Sequence, residues 1–315
     1  MTTPRVGVVW NPAKTTRQDL ERALEKAGSS VSSAPEALWF ETSEDDPGQG
    51  AAARATGEGV AVVVVAGGDG TVRAVAEHLA EADTSAALGI VPLGTGNLLA
   101  RNLGVPLGDL PGAFARVLAS EPRAIDVGWL EIDLDAGTER HAFAVMTGFG
   151  LDAHMITETD DDLKDSVGWL AYVESMGRAL SASDTLDIRI AADGGPRRHE
   201  HVHTLLVGNC GTLQGGINLL PEADPGDGEL DLLALSAADA AGWADTLRNM
   251  VWDNGIKRLA TRRSAAESSA STMHFRLRGL QVELSEPRVV EIDGEDLGET
   301  TRFGVTVQPG AVRVH

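Results

Sequence analysis

The chain has 315 residues, enough for two domains of ordinary size or one large one. Its 26 Lys and Arg stand against 47 Asp and Glu, a formal net charge of −21, which argues against a nucleic-acid partner because such binding needs a basic face to neutralise phosphates. With 43% hydrophobic residues, 36 Gly and 13 Pro it is neither disordered nor collagen-like, and a lone Cys210 excludes an internal disulfide and fits a reducing compartment.

The opening Met1–Trp10 has no basic region followed by a long apolar run, so no secretory signal is read. Arg5–Trp10 predicts a strand and Gln18–Ala27 a helix closed by Gly28. Ala37–Thr42 predicts a second strand, followed by an Ala-rich helix to about Thr56. Val60–Ala66 is a continuous run rich in β-branched residues, as expected of a strand covered on both faces. It is also the longest wholly apolar stretch, and it is far too short to span a bilayer. Val72, Val75, Ala76 and Leu79 follow at helical spacing, then Leu88–Pro92 as a strand and Asn97–Leu103 as a helix before Gly104. Alternation of this kind predicts an α/β layered N-terminal domain with a mostly parallel sheet.

The pattern changes near Ile125 to shorter, alternating segments. These are Asp126–Leu134, His141–Met146, Leu186–Ala191, His201–Val207, Glu229–Leu235, Phe275–Leu277, Gln281–Leu284, Val289–Ile292 and Gly304–Val307. Many short strands predict a β-rich C-terminal domain, an antiparallel sandwich. Helical inserts at Ser166–Leu180 and Trp243–Ala260 and a Ser-rich loop at Ser264–Thr272 interrupt it. The expected division is residues 1–126, rejoined by 302–315, and residues 127–301.

The strongest local signal is Gly67-Gly68-Asp69-Gly70-Thr71, set between the buried strand and the helix that opens at Val72. Its glycines let backbone approach a ligand with no Cβ in the way, and the helix behind offers free N–H groups and a positive dipole end for phosphate. An acid there would repel phosphate alone, so Asp69 suggests a metal ion, a ligand hydroxyl or an ordered water. A plain strand–helix turn is the bland alternative. Pro92-Leu93-Gly94-Thr95-Gly96-Asn97 repeats the logic, and two such loops at strand ends of one sheet converge on one crevice. A dinucleotide fingerprint is only weakly matched, and no Walker A motif is present.

These loops resemble the diacylglycerol kinase catalytic-domain family of bacterial diacylglycerol and related lipid kinases, with sphingosine kinases and, more distantly, NAD kinases among its kin. The resemblance continues through Pro92–Arg101, Ile125-Asp126-Val127-Gly128, Gly148-Phe149-Gly150, Pro221–Leu230 and Ile292-Asp293-Gly294-Glu295, and so covers essentially the whole chain. It implies a nucleotide site at Asn11, Gly67, Gly68, Asp69, Gly70, Thr71, Gly94, Thr95, Gly96 and Asn97, with Lys14 and Arg17 near the phosphates. Thr15 stands in place of a usual glycine, and Leu98 in place of a usual Asp. Asp224, Asp227 and Glu229 lie in an acidic Gly/Pro turn that on its own reads as surface; the resemblance makes Asp227, Asp224 and the Glu229 carbonyl a structural magnesium (Mg2+) site beside the catalytic cleft. Asp293-Gly294 on its own is a common hairpin signature. The resemblance makes Asp293 the general base for a lipid hydroxyl, with Glu295 assisting.

Other clusters suit bland readings. His199, His201 and His203 would share a strand face, as a metal cluster or, more simply, a solvated edge. Lys257, Arg258, Arg262 and Arg263 could meet anionic headgroups or cap a helix. Asp160–Asp162 reads as a solvated loop, and Cys210 as a small buried residue with no activating partner. The expectation is an ATP-dependent lipid kinase that uses Mg2+, cytoplasmic and peripheral at the inner membrane face. Its partner would be a lipid substrate at the membrane surface, with no transmembrane segment, and a homodimer is compatible with this. The rivals are a kinase of a soluble substrate such as NAD, and a non-catalytic nucleotide- or lipid-binding regulator.

Overall fold

The computed structural model describes residues 5–29, 35–82, 84–150, 185–214, 218–236 and 272–315. Both expected helical inserts, residues 264–271 of the Ser-rich loop, Asp160–Asp162 and the Lys257–Arg263 cluster lie outside these residues. The N-terminal unit is built on four parallel strands: β1 (Arg5–Trp10), β2 (Glu36–Glu41), β3 (Val62–Gly67) and β4 (Ala87–Pro92), in the order β4-β3-β1-β2. The valine-rich β1 and β3 and the aliphatic β4 are buried nearly end to end, whereas β2 at the edge is half-buried. Helices α1 (Arg17–Gly28), α2 (Gln49–Gly57), α3 (Asp69–Glu81), α4 (Leu98–Asn102) and α5 (Leu110–Ala119) complete it, with α1 packed on α5 and α2 on α3.

Local chemistry sets the ends of these helices. The Thr16 hydroxyl accepts the Asp19 N–H at the start of α1, a side-chain N-cap. Asp109 caps α5 in the same way by accepting the Gly112 N–H. The periodicity reading does not contain α5, because its first turn carries Pro111-Gly112, which reads locally as a turn. Its buried Ala113, Phe114 and Val117 are what hold it.

The C-terminal unit is antiparallel: β5 (Arg123–Leu134), β6 (Gly137–Phe143), β7 (Met146–Phe149), β8 (Leu186–Ala192), β9 (Arg198–Val202), β10 (Thr204–Gly208), β11 (Leu230–Leu235), β12 (Thr272–Leu277), β13 (Gly279–Ile292) and β14 (Glu295–Val314). Strand β11 shows how two cores share one sheet. Leu230, Leu232 and Ala234 enter the C-terminal core, while Leu233 and Leu235 face the core continuous with the N-terminal unit. Strand β14 joins the units: it pairs antiparallel with β13 and β5, then Val314 pairs parallel with Leu88 of β4.

The expected strand His141–Met146 is two strands. Between β6 and β7 the N–H groups of Ala144 and Val145, with that of Met146, turn inward onto the Asp293 carboxylate, which breaks the ladder. His201–Val207 is likewise divided at His203, where the chain leaves β8 and joins β7 and β11. Only His199 and His201 therefore share a face, that of β9, where His199 meets Arg189 and His201 meets Asp187, while His203 lies between strands. Gln281–Leu284 and Val289–Ile292 are parts of the single strand β13, whose pairing with β14 shifts between Glu283 and Arg288. No helix among the described residues is long and apolar enough to cross a membrane.

Candidate functional site

Strand order places the crevice. Strand β1 leads to β2 on one side and β3 to β4 on the other, so the chain diverges between β1 and β3, where open α/β sheets bind ligands. There the Asn11 N–H donates to the Ala66 carbonyl at 3.0 Å, fixing the first loop to the end of β3. A cleft of about 480 Å³ opens at this point between the two units. Asn11, Lys14, Gly68, Asp69, Gly70, Thr71, Gly94, Thr95 and Gly96 form its N-terminal wall. Met146, Thr147, Leu206, Leu213, Asp293 and Glu295 belong to the opposite side.

The two glycine loops touch backbone to backbone. A Cβ on Gly94 would lie 2.9 Å from the Gly68 Cα, so the second loop admits no side chain there without moving the first, whereas a Cβ on Gly68 would meet Gly94 only at an ordinary 3.5 Å. Asp69 locks them together: its two carboxylate oxygens accept the N–H groups of Asn97 at 2.7 Å and Leu98 at 2.6 Å. Burial raises the Asp69 pKa, and those two N–H groups oppose the rise. Asn97, left-handed at φ 49°, stitches its own loop by accepting from the Gly94 N–H at 2.8 Å and donating to the Gly94 carbonyl at 2.6 Å. Helix α3 starts behind Gly68 with no side-chain cap, so the N–H groups of its first turn are available to an anion.

Gly67 and Asn97 thus support the cleft without lining it. Arg17 is on the outer face of α1, bonded to Glu21 at 2.8 Å with its guanidinium 5.3 Å from the centre of the Trp39 ring. Lys14 is the only Lys or Arg among the described residues that line the cleft.

Asp293 and Gly294 form the β13–β14 hairpin with φ of 48° and 87°, the paired positive values of a tight Asp-Gly turn. The same residue is a site acid. Asp293 is 6% exposed, and its carboxylate accepts the Ala144, Val145 and Met146 N–H groups, each at 2.9 Å. Burial raises its pKa to about 6, against those three bonds and the charge of Arg73. Glu295 lies against the first turn of α3, paired with Arg73 at 2.5 Å. Sequence reasoning missed Arg73, Glu291, Met146, Leu206, Leu213 and Gln214. For two of them a signal existed: Arg73 follows the glycine motif by two residues, and Glu291 stands near the end of the strand that delivers Asp293 to its turn.

The acidic turn lies outside the cleft, and its carboxylates are engaged within the protein. Asp224 and Asp227 each accept an N–H of their own turn, from Gly226 and Glu229 at 3.0 Å. Arg276 reaches Asp227 at 3.5 Å and Glu222 at 3.9 Å, and Glu229 faces Arg278 at 3.8 Å. Among the described residues no group of three His, Cys, Asp or Glu is arranged to hold a metal. What anchors the turn is Asp126, buried, accepting the Gly228 and Gly310 N–H groups at 2.7 Å.

Comparison with known proteins agrees along the whole chain. Residues 5–130 match the model of the diacylglycerol kinase catalytic domain, and residues 145–315 that of the YegS C-terminal NAD kinase beta sandwich-like domain. A "Probable lipid kinase YegS-like" of Stenotrophomonas maltophilia is 31% identical over 323 residues, covering 100% of this chain and 97% of its own. One of Pseudomonas fluorescens is 35% identical, covering 80% of this chain and 76% of its own. The solved structure of a diacylglycerol kinase from Bacillus anthracis superposes with a TM-score of 0.66 at 22% identity, covering 100% of this chain and 97% of that one, and so shares the fold.

Proposed function

Because the chain belongs to the family of the YegS-like lipid kinases, we propose that its cleft transfers the γ-phosphate of ATP to the hydroxyl of a lipid, diacylglycerol or a related one. One observation carries the reading: a buried carboxylate, Asp293, lines the same 480 Å³ cleft as the uncapped amino end of α3 and the glycine loops. The glycine loops supply backbone N–H groups for the phosphates, with Lys14 as the mobile cation. Leu98, Met146, Leu206 and Leu213 give the cleft apolar lining suited to the glycerol and acyl region of a lipid and to excluding water.

Transfer then needs positioning and one proton acceptor. The lipid hydroxyl oxygen forms a bond to the γ-phosphorus, the bond from that phosphorus to the β–γ bridging oxygen breaks, and the hydroxyl proton passes to Asp293. Three backbone N–H groups keep the Asp293 carboxylate aimed before substrate arrives. Asp69, Glu291, Asp293 and Glu295 line the cleft together, so ATP would enter with a divalent cation to offset its charge. The acidic turn at Asp224–Glu229 contributes no step. The test is incubation with γ-labelled ATP and mixed micelles of diacylglycerol, monoacylglycerol or a sphingoid base, with NAD as the soluble acceptor. Label in a lipid supports the reading, and label in NADP alone replaces it with the soluble-substrate one.

A further inference from the structure

We propose that Arg73 is a positioning residue of this reaction, holding Glu295, and with it the β13–β14 hairpin, against the first turn of α3 and supplying a fixed positive charge behind the cleft wall. The kinetic half of this inference rests on the phosphotransfer reading. Arg73 stands one turn into α3, its side chain 14% exposed, and it does not line the cleft. Its guanidinium bonds the Glu295 carboxylate at 2.5 Å, a charge-assisted contact between residues 222 apart in sequence. Gly70 makes room for this: a Cβ there would collide with the Glu295 carboxylate. The Nε of Arg73 is buried with no hydrogen-bond partner, an expense that packing alone does not explain.

The surroundings of Asp293 show why a cation is needed. The charge of Arg73 acts on it from α3, the charge of Asp293 itself acts on the buried Cys210 thiol, and Asp69, Glu291, Glu295 and Lys14 line the same cleft. Four carboxylates are thus gathered around one cleft with two cations. Lys14 is exposed and would be drawn to phosphate, so Arg73 is the fixed charge that remains. Its field favours the ionised form of Asp293, opposing burial. Through Glu295 it also ties the β13–β14 hairpin, which carries the base, to the helix that carries the phosphate site.

The experiment uses the full-length protein as wild type, Arg73→Gln and Arg73→Lys. In selectively carboxyl-labelled protein followed by NMR, the Asp293 titration in Arg73→Gln should move upward, and Arg73→Lys should reverse most of the shift. The acid limb of kcat against pH should move with it, and kcat at neutral pH should fall roughly tenfold, with the Kd for ATP changed less than about threefold. The NMR titration needs no turnover. A preparation that labels no lipid therefore counts against the phosphotransfer reading, while the displaced titration still supports the electrostatic role of Arg73. An Asp293 titration identical in wild type and Arg73→Gln overturns the proposal.

Discussion

At Asp293 two demands meet in one side chain. The hairpin needs a residue that tolerates φ of 48°, and the cleft needs a carboxylate held without water; Asp satisfies both. The hairpin signature and the general-base reading are thus compatible. Asp293→Asn keeps the turn but presents an amide to N–H donors and is a far poorer proton acceptor. We expect kcat to fall by roughly 10²- to 10⁴-fold, with ATP affinity within a few-fold of wild type, in steady-state kinetics and calorimetric binding. The pH dependence has a definite sign. The folded carboxyl titrates near 6 and the unfolded one near 3.8, so between these values the folded state keeps a proton that the unfolded state has lost. This group therefore makes stability fall as pH rises from about 4 to about 6, by ~3 kcal/mol in total. Denaturant titrations should show that slope reduced in Asp293→Asn. Wild-type kcat should rise through the same window, because only the ionised form accepts the proton.

At the scale of elements, the two glycine loops were legible and their inner wiring was not. Gly68 and Gly94 stand out because glycine runs between a buried strand and a helix have few other uses. That Asp69 accepts the Asn97 and Leu98 N–H groups depends on how β3 and β4 align side by side. Local sequence cannot show a register between residues 28 apart. Asp69→Ala should release the start of α4, lowering ATP affinity at least tenfold while circular dichroism stays native. Gly94→Ala should do the same by pushing Gly68 away, since its Cβ would come within 2.9 Å of that backbone. The split of His141–Met146 was hidden for a related reason: the break is imposed by a carboxylate about 150 residues later. At the acidic turn, Arg276 and the internal N–H bonds lead us to expect equal melting temperatures in excess magnesium and in EDTA. A rise with magnesium that Asp227→Ala abolishes would restore a metal there.

Across the whole molecule, the cleft exists because one chain segment belongs to both units. Strand β14 runs from Glu295 at the site, along β13 and β5, to Val314 beside Leu88. Arg116 of α5 then donates to the His315 carbonyl at 3.3 Å, and the His315 N–H to Leu88 at 3.0 Å. Removing residues 310–315 should lower the melting temperature and weaken ATP binding although no residue of the cleft is lost. The change from parallel to antiparallel architecture was readable from the shift in strand length and alternation near Ile125. The return of residues 302–315 to the first unit was expected, but not that one strand, β14, pairs with β13, β5 and β4 in turn, because it gains those partners only in the folded chain. The central claim is that Asp293 and the glycine loops together move phosphate from ATP to a lipid hydroxyl. Its most direct test is transfer of γ-label from ATP into lipid in mixed micelles, by wild type and Asp293→Asn side by side. The account predicts labelled lipid with wild type and roughly 10²- to 10⁴-fold less with the variant at unchanged ATP binding. Equal labelling by both proteins, or none from wild type with any lipid, would contradict it.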